Sequence, residues 1–152
     1  MRLTAFTDYS LRVLIYLAAD PERRPTIGEI AQAFGVSEHH LVKVVHFLGR
    51  KGWLSNVRGR GGGLALAAAP ESIVVGRVVR DTERVLAPTE CLEPGGGNCR
   101  IARVCRLRGV MSEALDAFYG VLDRFTLRDL VQNRAPLARI LFTTPARAPV
   151  LA

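Results

Sequence analysis

The sequence predicts a mainly α fold, a winged helix-turn-helix with a small β-hairpin wing, followed by a long C-terminal helix. Three observations lead there. Two short amphipathic segments are joined by a turn containing Gly35. A Gly-rich, Arg-bearing turn between two strand-like segments comes next. A longer apolar stripe then recurs at three- and four-residue steps after residue 105.

The first helix is read from "TDYSLRVLIYLAAD", with Tyr9, Val13, Leu14, Leu17 and Ala18 on one face and Thr7 or Asp8 as N-cap. "PERRP" interrupts it. In "TIGEIAQAFGV", Thr26 and Glu29 form a capping box, Ile27, Ile30, Ala31 and Phe34 share a face, and Gly35 is the stop. "SEHHLVKVVHFLGRKG" restarts with Ser37 as N-cap, turns Leu41, Val44, Val45 and Leu48 inward, and ends at Gly52. This second helix exposes His39, His40, Lys43 and Arg50 and would enter a DNA major groove by its N-terminal end. Length and spacing alone fit an ordinary helical hairpin equally well.

The segment after Gly52 favours DNA. "WLSNV" and "LALAAA" read as strands joined by "RGRGGG", the pattern of a wing, with Arg58 and Arg60 placed for phosphates or a narrow minor groove. Gly59, Gly61 and Gly63 do not make a nucleotide-binding loop, because a strand and not a helix comes after them. Base contacts are assigned to His39, His40 and Lys43, and phosphate or minor-groove contacts to Ser37, Arg58 and Arg60.

"PESIVVGRVVRDTE" predicts a short strand and then a helix from about Val75. After an irregular cysteine-containing loop, the long helix carries Val110, Met111, Ala114, Leu115, Phe118, Val121, Leu122 and Phe125 along one stripe. That stripe suits pairing with a second copy, a dimerisation helix; packing on its own domain is the other reading. "TLRDL" gives a short helix capped by Thr126. The chain divides into a winged domain over residues 1–83, a cysteine loop over 84–106, the dimerisation helix and its short successor over 107–131, and a flexible tail over 132–152. The tail is read as flexible from its prolines and lack of acids.

Net charge is +7, from 21 basic and 14 acidic residues, which favours a polyanionic partner. The placement is more telling. Residues 37–60 hold Lys43, Arg50, Lys51, Arg58 and Arg60 against the single acid Glu38. Asp8 and Arg12 interrupt the N-terminal apolar stretch before it can imitate a signal peptide, and no run approaches the ~18 apolar residues of a membrane span. A cytoplasmic protein without a membrane partner is expected. An enzyme is not. There is no CxxC pair and no evident Ser/His/Asp or paired-carboxylate constellation, and the histidines at 39, 40 and 46 all lie on the helix assigned to the groove.

All three cysteines, Cys91, Cys99 and Cys105, lie in "CLEPGGGNCRIARVC". In a reducing compartment such a cluster reads as metal or redox ligands before structural bridges. Zinc with a further Asp or His donor, and a thiol-based redox switch, are both open on the residues alone.

The order of "MRLTAFTDYSLRVLIYLA", "LVKVVHFLGRKGWLSNVRGRGGGLAL", the cysteine loop and "ALDAFYGVLDRFTLRDL" resembles the winged-helix iron–sulfur transcriptional repressor family, and within it the nitric-oxide-sensing members. The likeness covers about residues 1–131. It implies a homodimer on a roughly palindromic double-stranded operator, with an iron–sulfur cluster held by Cys91, Cys99 and Cys105 and a carboxylate, Asp8, from the other subunit's first helix. A related cluster-sensing branch has a histidine three residues after the third cysteine; here Arg108 stands there. Relatives in a cysteine-metabolism branch lack the cluster cysteines. The seven residues between Cys91 and Cys99 exceed the family's usual spacing, which leaves [4Fe–4S] ahead of [2Fe–2S] without deciding between them. An apo form is also compatible. The resemblance implies that nitric oxide breaks the Asp8 bridge and releases the operator. The alternative is a redox- or cluster-status-sensing regulator of the same fold, using a [2Fe–2S] cluster or a thiol switch.

Overall fold

The computed structural model describes residues 2–83, 87–95 and 97–142. Helix α1 (Ala5–Ala19) lies at the centre, touching α2 (Ile27–Phe34), α3 (Glu38–Arg50), α4 (Val75–Thr82), α6 (Leu127–Leu130) and α7 (Arg134–Phe142). Val13 and Leu14 of α1 are fully buried, packed with Ile30 of α2 and with Leu41, Val44 and Leu48 of α3.

Helix α1 begins one turn before the expected Thr7 or Asp8. Its N-cap is Thr4, whose hydroxyl accepts a hydrogen bond from Thr7 N at 3.3 Å. Thr7 is thereby a buried first-turn residue and Asp8 a first-turn acid. The expected box of α2 is formed: Thr26 N donates to Glu29 Oε2 at 2.7 Å, and Glu29 N donates to Thr26 Oγ1 at 3.2 Å. Gly35 ends the helix at φ 61°, in the left-handed region. Ser37 precedes α3 as expected, but its side chain makes no capping hydrogen bond.

The wing is an antiparallel hairpin of β1 (Leu54–Val57) and β2 (Gly63–Leu66), with Leu54 opposite Leu66 and Val57 opposite Gly63. Leu54 and Leu64 turn into the core. At Gly62 an added Cβ would lie 2.2 Å from the Val57 carbonyl oxygen, so the tightness of the turn excludes any side chain there. Leu64 N donates to Pro25 O at 2.9 Å, which ties the wing's base to the α1–α2 connection.

The short strand expected before α4 is reduced to an isolated bridge, Val74 with Thr126. There Val75 N donates to Phe125 O at 2.9 Å and Leu127 N to Ile73 O at 2.8 Å, joining α4 to the start of α6. Thr126 caps α6, as expected, in a box with Asp129. Helix α5 (Arg106–Leu122) runs between the cysteine loop and this joint and contains no buried residue.

A further expectation, for the C-terminal segment, is corrected. Residues 134–142 form helix α7 where a flexible tail was predicted. Leu141 is buried, and the Phe142 ring meets Tyr16 edge-on at 5.1 Å with the Arg23 guanidinium 4.8 Å from its centroid. Pro136 occupies the first turn of α7, where a missing N–H removes no intrahelical hydrogen bond. Residues 143–152 of the expected tail, and the start of the expected cysteine loop at 84–86, lie outside the described residues. Among the described residues no helix is long and apolar enough to cross a membrane.

Candidate functional site

The residues assigned to DNA lie on one helix and one turn. On α3, burying Leu41, Val44, Val45 and Leu48 leaves the opposite face outside, and Ser37, His39, His40 and Lys43 are all exposed. His46 and Arg50 extend the same exposed face. Arg58 and Arg60 are exposed in the wing turn, where Gly59 and Gly61 have φ of 102° and 79°. Among the described residues, Lys43, Arg50, Arg58 and Arg60 take part in no ion pair, so their charge is available to phosphates. His40 differs from its neighbours. Its ring stacks on Tyr9 of α1, with centroids 6.3 Å apart and planes 23° apart. Tyr9, Phe6, Ala5, His40, Lys43 and Val44 line a small apolar cleft between α1 and α3. Val42, which the apolar pattern of α3 leaves outside its inward face, is 47 % exposed beside Lys43.

The cysteine loop is irregular but not shapeless. A single helical turn of the tighter kind spans Glu90–Leu92, and Cys91 Sγ lies 3.3 Å from Thr89 Oγ1. The Glu90 carboxylate accepts a hydrogen bond from Asn98 N at 2.8 Å. Glu90 and Asn98 are the immediate neighbours of Cys91 and Cys99, so this bond closes the seven-residue spacing at its base. Gly97, at φ 60°, makes the closure possible: a Cβ there would lie 2.5 Å from Glu90 Cγ. Further on, Ala102 N donates to Cys99 O at 3.1 Å and Val104 N to Ile101 O at 3.0 Å, giving two turns that lead to Cys105. Cys105 is the N-cap residue of α5 without a side-chain capping bond. All three thiols are unpaired, Cys99 exposed and Cys91 and Cys105 half-buried. Arg100, Arg103, Arg106 and Arg108 are exposed at neighbouring positions along the chain.

Asp8 sits elsewhere, on α1, where its carboxylate pairs with Arg12 one turn on: Arg12 Nη2 lies 2.9 Å from Asp8 Oδ2, and Arg12 Nε donates to Asp8 Oδ1 at 3.1 Å. Leu3, Ala5, Tyr9 and Leu11 flank it in a shallow surface groove. Among the described residues, no group of three or more His, Cys, Asp and Glu side chains is arranged to hold a metal ion. One chain therefore supplies the donor types that an iron–sulfur cluster needs, three thiols on one loop, but it brings neither the three thiols together nor Asp8 to them.

Electrostatics outside these two regions serve α5. Arg80 Nη1 and Nη2 donate to the two Asp123 carboxylate oxygens at 2.6 and 2.7 Å, and Arg80 also lies over the Tyr119 ring at 4.2 Å. The forked Arg80 hydrogen bonds hold the Asp123 carboxyl below the usual carboxylate range. This clamp fixes the C-terminal end of α5 to α4.

Residues 3–133 match the family described as Rrf2, iron-dependent transcriptional regulator. The HTH-type transcriptional regulator NsrR of Geobacillus kaustophilus is 49 % identical over 93 % of this chain and 97 % of its own length. The protein of the same name from Bacillus subtilis is 46 % identical over the same shares. Among solved structures, CymR, the global cysteine regulator of B. subtilis, superposes with a TM-score of 0.72 at 30 % identity, covering 88 % of this chain and 98 % of that one.

Proposed function

We propose a nitric-oxide-sensing repressor, on the premise that this chain belongs to the Rrf2 family of iron-dependent transcriptional regulators. As a member it is a DNA-binding regulator of transcription with a winged helix, and not an enzyme. The family description and the likeness to NsrR point to iron–sulfur binding in general.

The finer reading rests on one observation: three unpaired thiols occupy a single loop that runs directly into a helix containing no fully buried residue. Exposed Leu107, Val110 and Val121 on α5 favour a second copy of this chain as its cover, giving a homodimer. In that dimer Cys91, Cys99 and Cys105 of one subunit would hold the cluster and Asp8 of the other would complete it, [4Fe–4S] in preference to [2Fe–2S]. When bound, the cluster would supply iron with affinity for nitric oxide.

The chain's own residues do the rest. Asp8, released, returns to Arg12 on its own helix, and α1 carries that change to α3 through two contacts. Phe6 meets Phe47 edge-on at 5.2 Å, and Tyr9 stacks on His40. His39, His40 and Lys43 then lose their register on the bases, Ser37, Arg58 and Arg60 lose theirs on the backbone, and the operator is released. The protein would act in the cytoplasm, on double-stranded operator DNA.

The test is anaerobic purification with iron, sulfide and absorbance analysis before and after nitric oxide, alongside operator binding. About four irons and four sulfides per chain, bleached by nitric oxide with loss of operator binding, is the expected result. Two of each would favour the [2Fe–2S] alternative. Zinc, or oxidant-dependent thiol loss without metal, would replace the cluster reading with a structural site or a thiol switch.

A further inference from the structure

Glu83 is the only carboxylate-bearing residue that is buried among the described residues, at 7 % exposure. Its Oε1 accepts three hydrogen bonds, from Thr4 N at 2.7 Å, Thr4 Oγ1 at 3.0 Å and Thr7 Oγ1 at 2.6 Å. A carboxylate withdrawn from water is costly unless donors replace the water, and these three do so. Both donor residues belong to the start of α1. Thr4 is its N-cap, and Asp8 N in turn donates to Thr4 O at 3.1 Å. At its other end Glu83 is the C-cap residue of α4, its N–H donating to Val79 O at 2.8 Å. It is also the last residue before the stretch that leads to Cys91. A single buried carboxylate thus fastens the turn that presents Asp8 to the root of the cysteine loop in the same subunit.

Under the proposed function, on which this inference rests, every chain serves two sites: its thiols serve one and its Asp8 serves the other. We propose that Glu83 is a positioning residue that couples these two sites, so that opening one of them promotes opening of the second. When one site opens, it frees Asp8 of one subunit and the cysteine loop of the other. In each subunit the Glu83–Thr4 bonds pass that freedom to the remaining ligand-bearing segment, so both attachments of the second site slacken. Reciprocity requires the converse, that filling one site favours filling the other.

The experiment is native mass spectrometry of the anaerobic holo-dimer, brought to half its initial iron content with nitric oxide or a chelator. Independent sites would leave about half of the dimers with a single cluster, whereas coupling on the order of tenfold lowers that share to about a quarter. The wild type is expected near a quarter, and Glu83→Gln and Thr7→Val near a half, each variant still dimeric and still loading iron and sulfide. A second readout uses the metal-free proteins. Glu83→Gln should speed amide hydrogen exchange at residues 2–8 and at the loop together, and leave α2 and α3 unchanged. A wild type at about a half would overturn the coupling, and variants that keep the wild-type distribution would overturn the role of Glu83. A wild type without iron and sulfide would overturn the proposed function, and this inference with it.

Discussion

Asp8 is held to Arg12 by an ion pair whose side chains remain 48 % and 40 % exposed. Pairs of that exposure contribute about 0–1 kcal/mol, so Asp8 can exchange Arg12 for another cation at small cost. That makes it suited to a ligand that must be both taken up and released. Asp8→Ala is expected to leave helix content unchanged and to blunt the nitric-oxide response of operator binding; a variant with its cluster and full response intact would remove the bridging role. Lys43 and Arg60 touch no acid in their own chain among the described residues, so changing them tests DNA alone. Arg60→Ala should weaken operator binding by about 1–3 kcal/mol if the wing reads a minor groove, while Lys43→Ala should relax sequence preference. Fluorescence anisotropy across a salt series separates the two, because loss of a phosphate contact also flattens the salt slope. An unchanged affinity and slope in Arg60→Ala would take the wing out of the interface.

At the scale of elements, α3 and the wing were legible in the sequence because their determinants are local. The Thr26–Glu29 box, Gly35 and the apolar spacing of Leu41, Val44, Val45 and Leu48 all act within a few residues of one another. The start of α1 was misplaced because Thr4 and Thr7 are both competent caps, and the choice of Thr4 coincides with bonds to Glu83, 79 residues away. Helix α7 was missed for a similar reason. The prolines and lack of acids over residues 132–152 read as a tail, and Leu141 and Phe142 of α7 acquire meaning only beside Tyr16 on α1. Helix α5 was anticipated as an amphipathic helix, and its lack of buried residues sharpens its prediction. Val110→Asp with Val121→Asp should convert a dimer to a monomer in sedimentation while far-ultraviolet circular dichroism stays the same, since neither side chain is buried in its own chain. A dimer that survives both changes would place the interface elsewhere.

For the whole molecule, several carboxylates answer to pH in the same sense. Asp123 is held low by Arg80, Glu29 by the Thr26 backbone N–H, and Asp129 by the Thr126 backbone N–H. A carboxyl depressed in the folded state contributes stability that is present above its unfolded value, about 4, and lost as the pH falls through the folded one. Urea midpoints are therefore expected to hold from neutral pH to about 5 and to drop below about 4. With Asp123→Asn, part of that acid-dependent drop should vanish. A midpoint insensitive to acid would show that these caps and the Arg80 clamp do not contribute.

The helix-turn-helix, the wing, the basic face and the grouping of all three thiols along the chain are written in the amino-acid order, because these depend on periodicity, glycine and charge over short spans of chain. The packing of α7 on α1, the closure of the Cys91–Cys99 spacing by Glu90 and Gly97, and the link from Glu83 to the start of α1 emerge only in the folded chain. These outcomes depend on which surfaces and donors meet after the chain has folded. A buried carboxylate has no local signature, since it is the distant threonines that replace the water it loses.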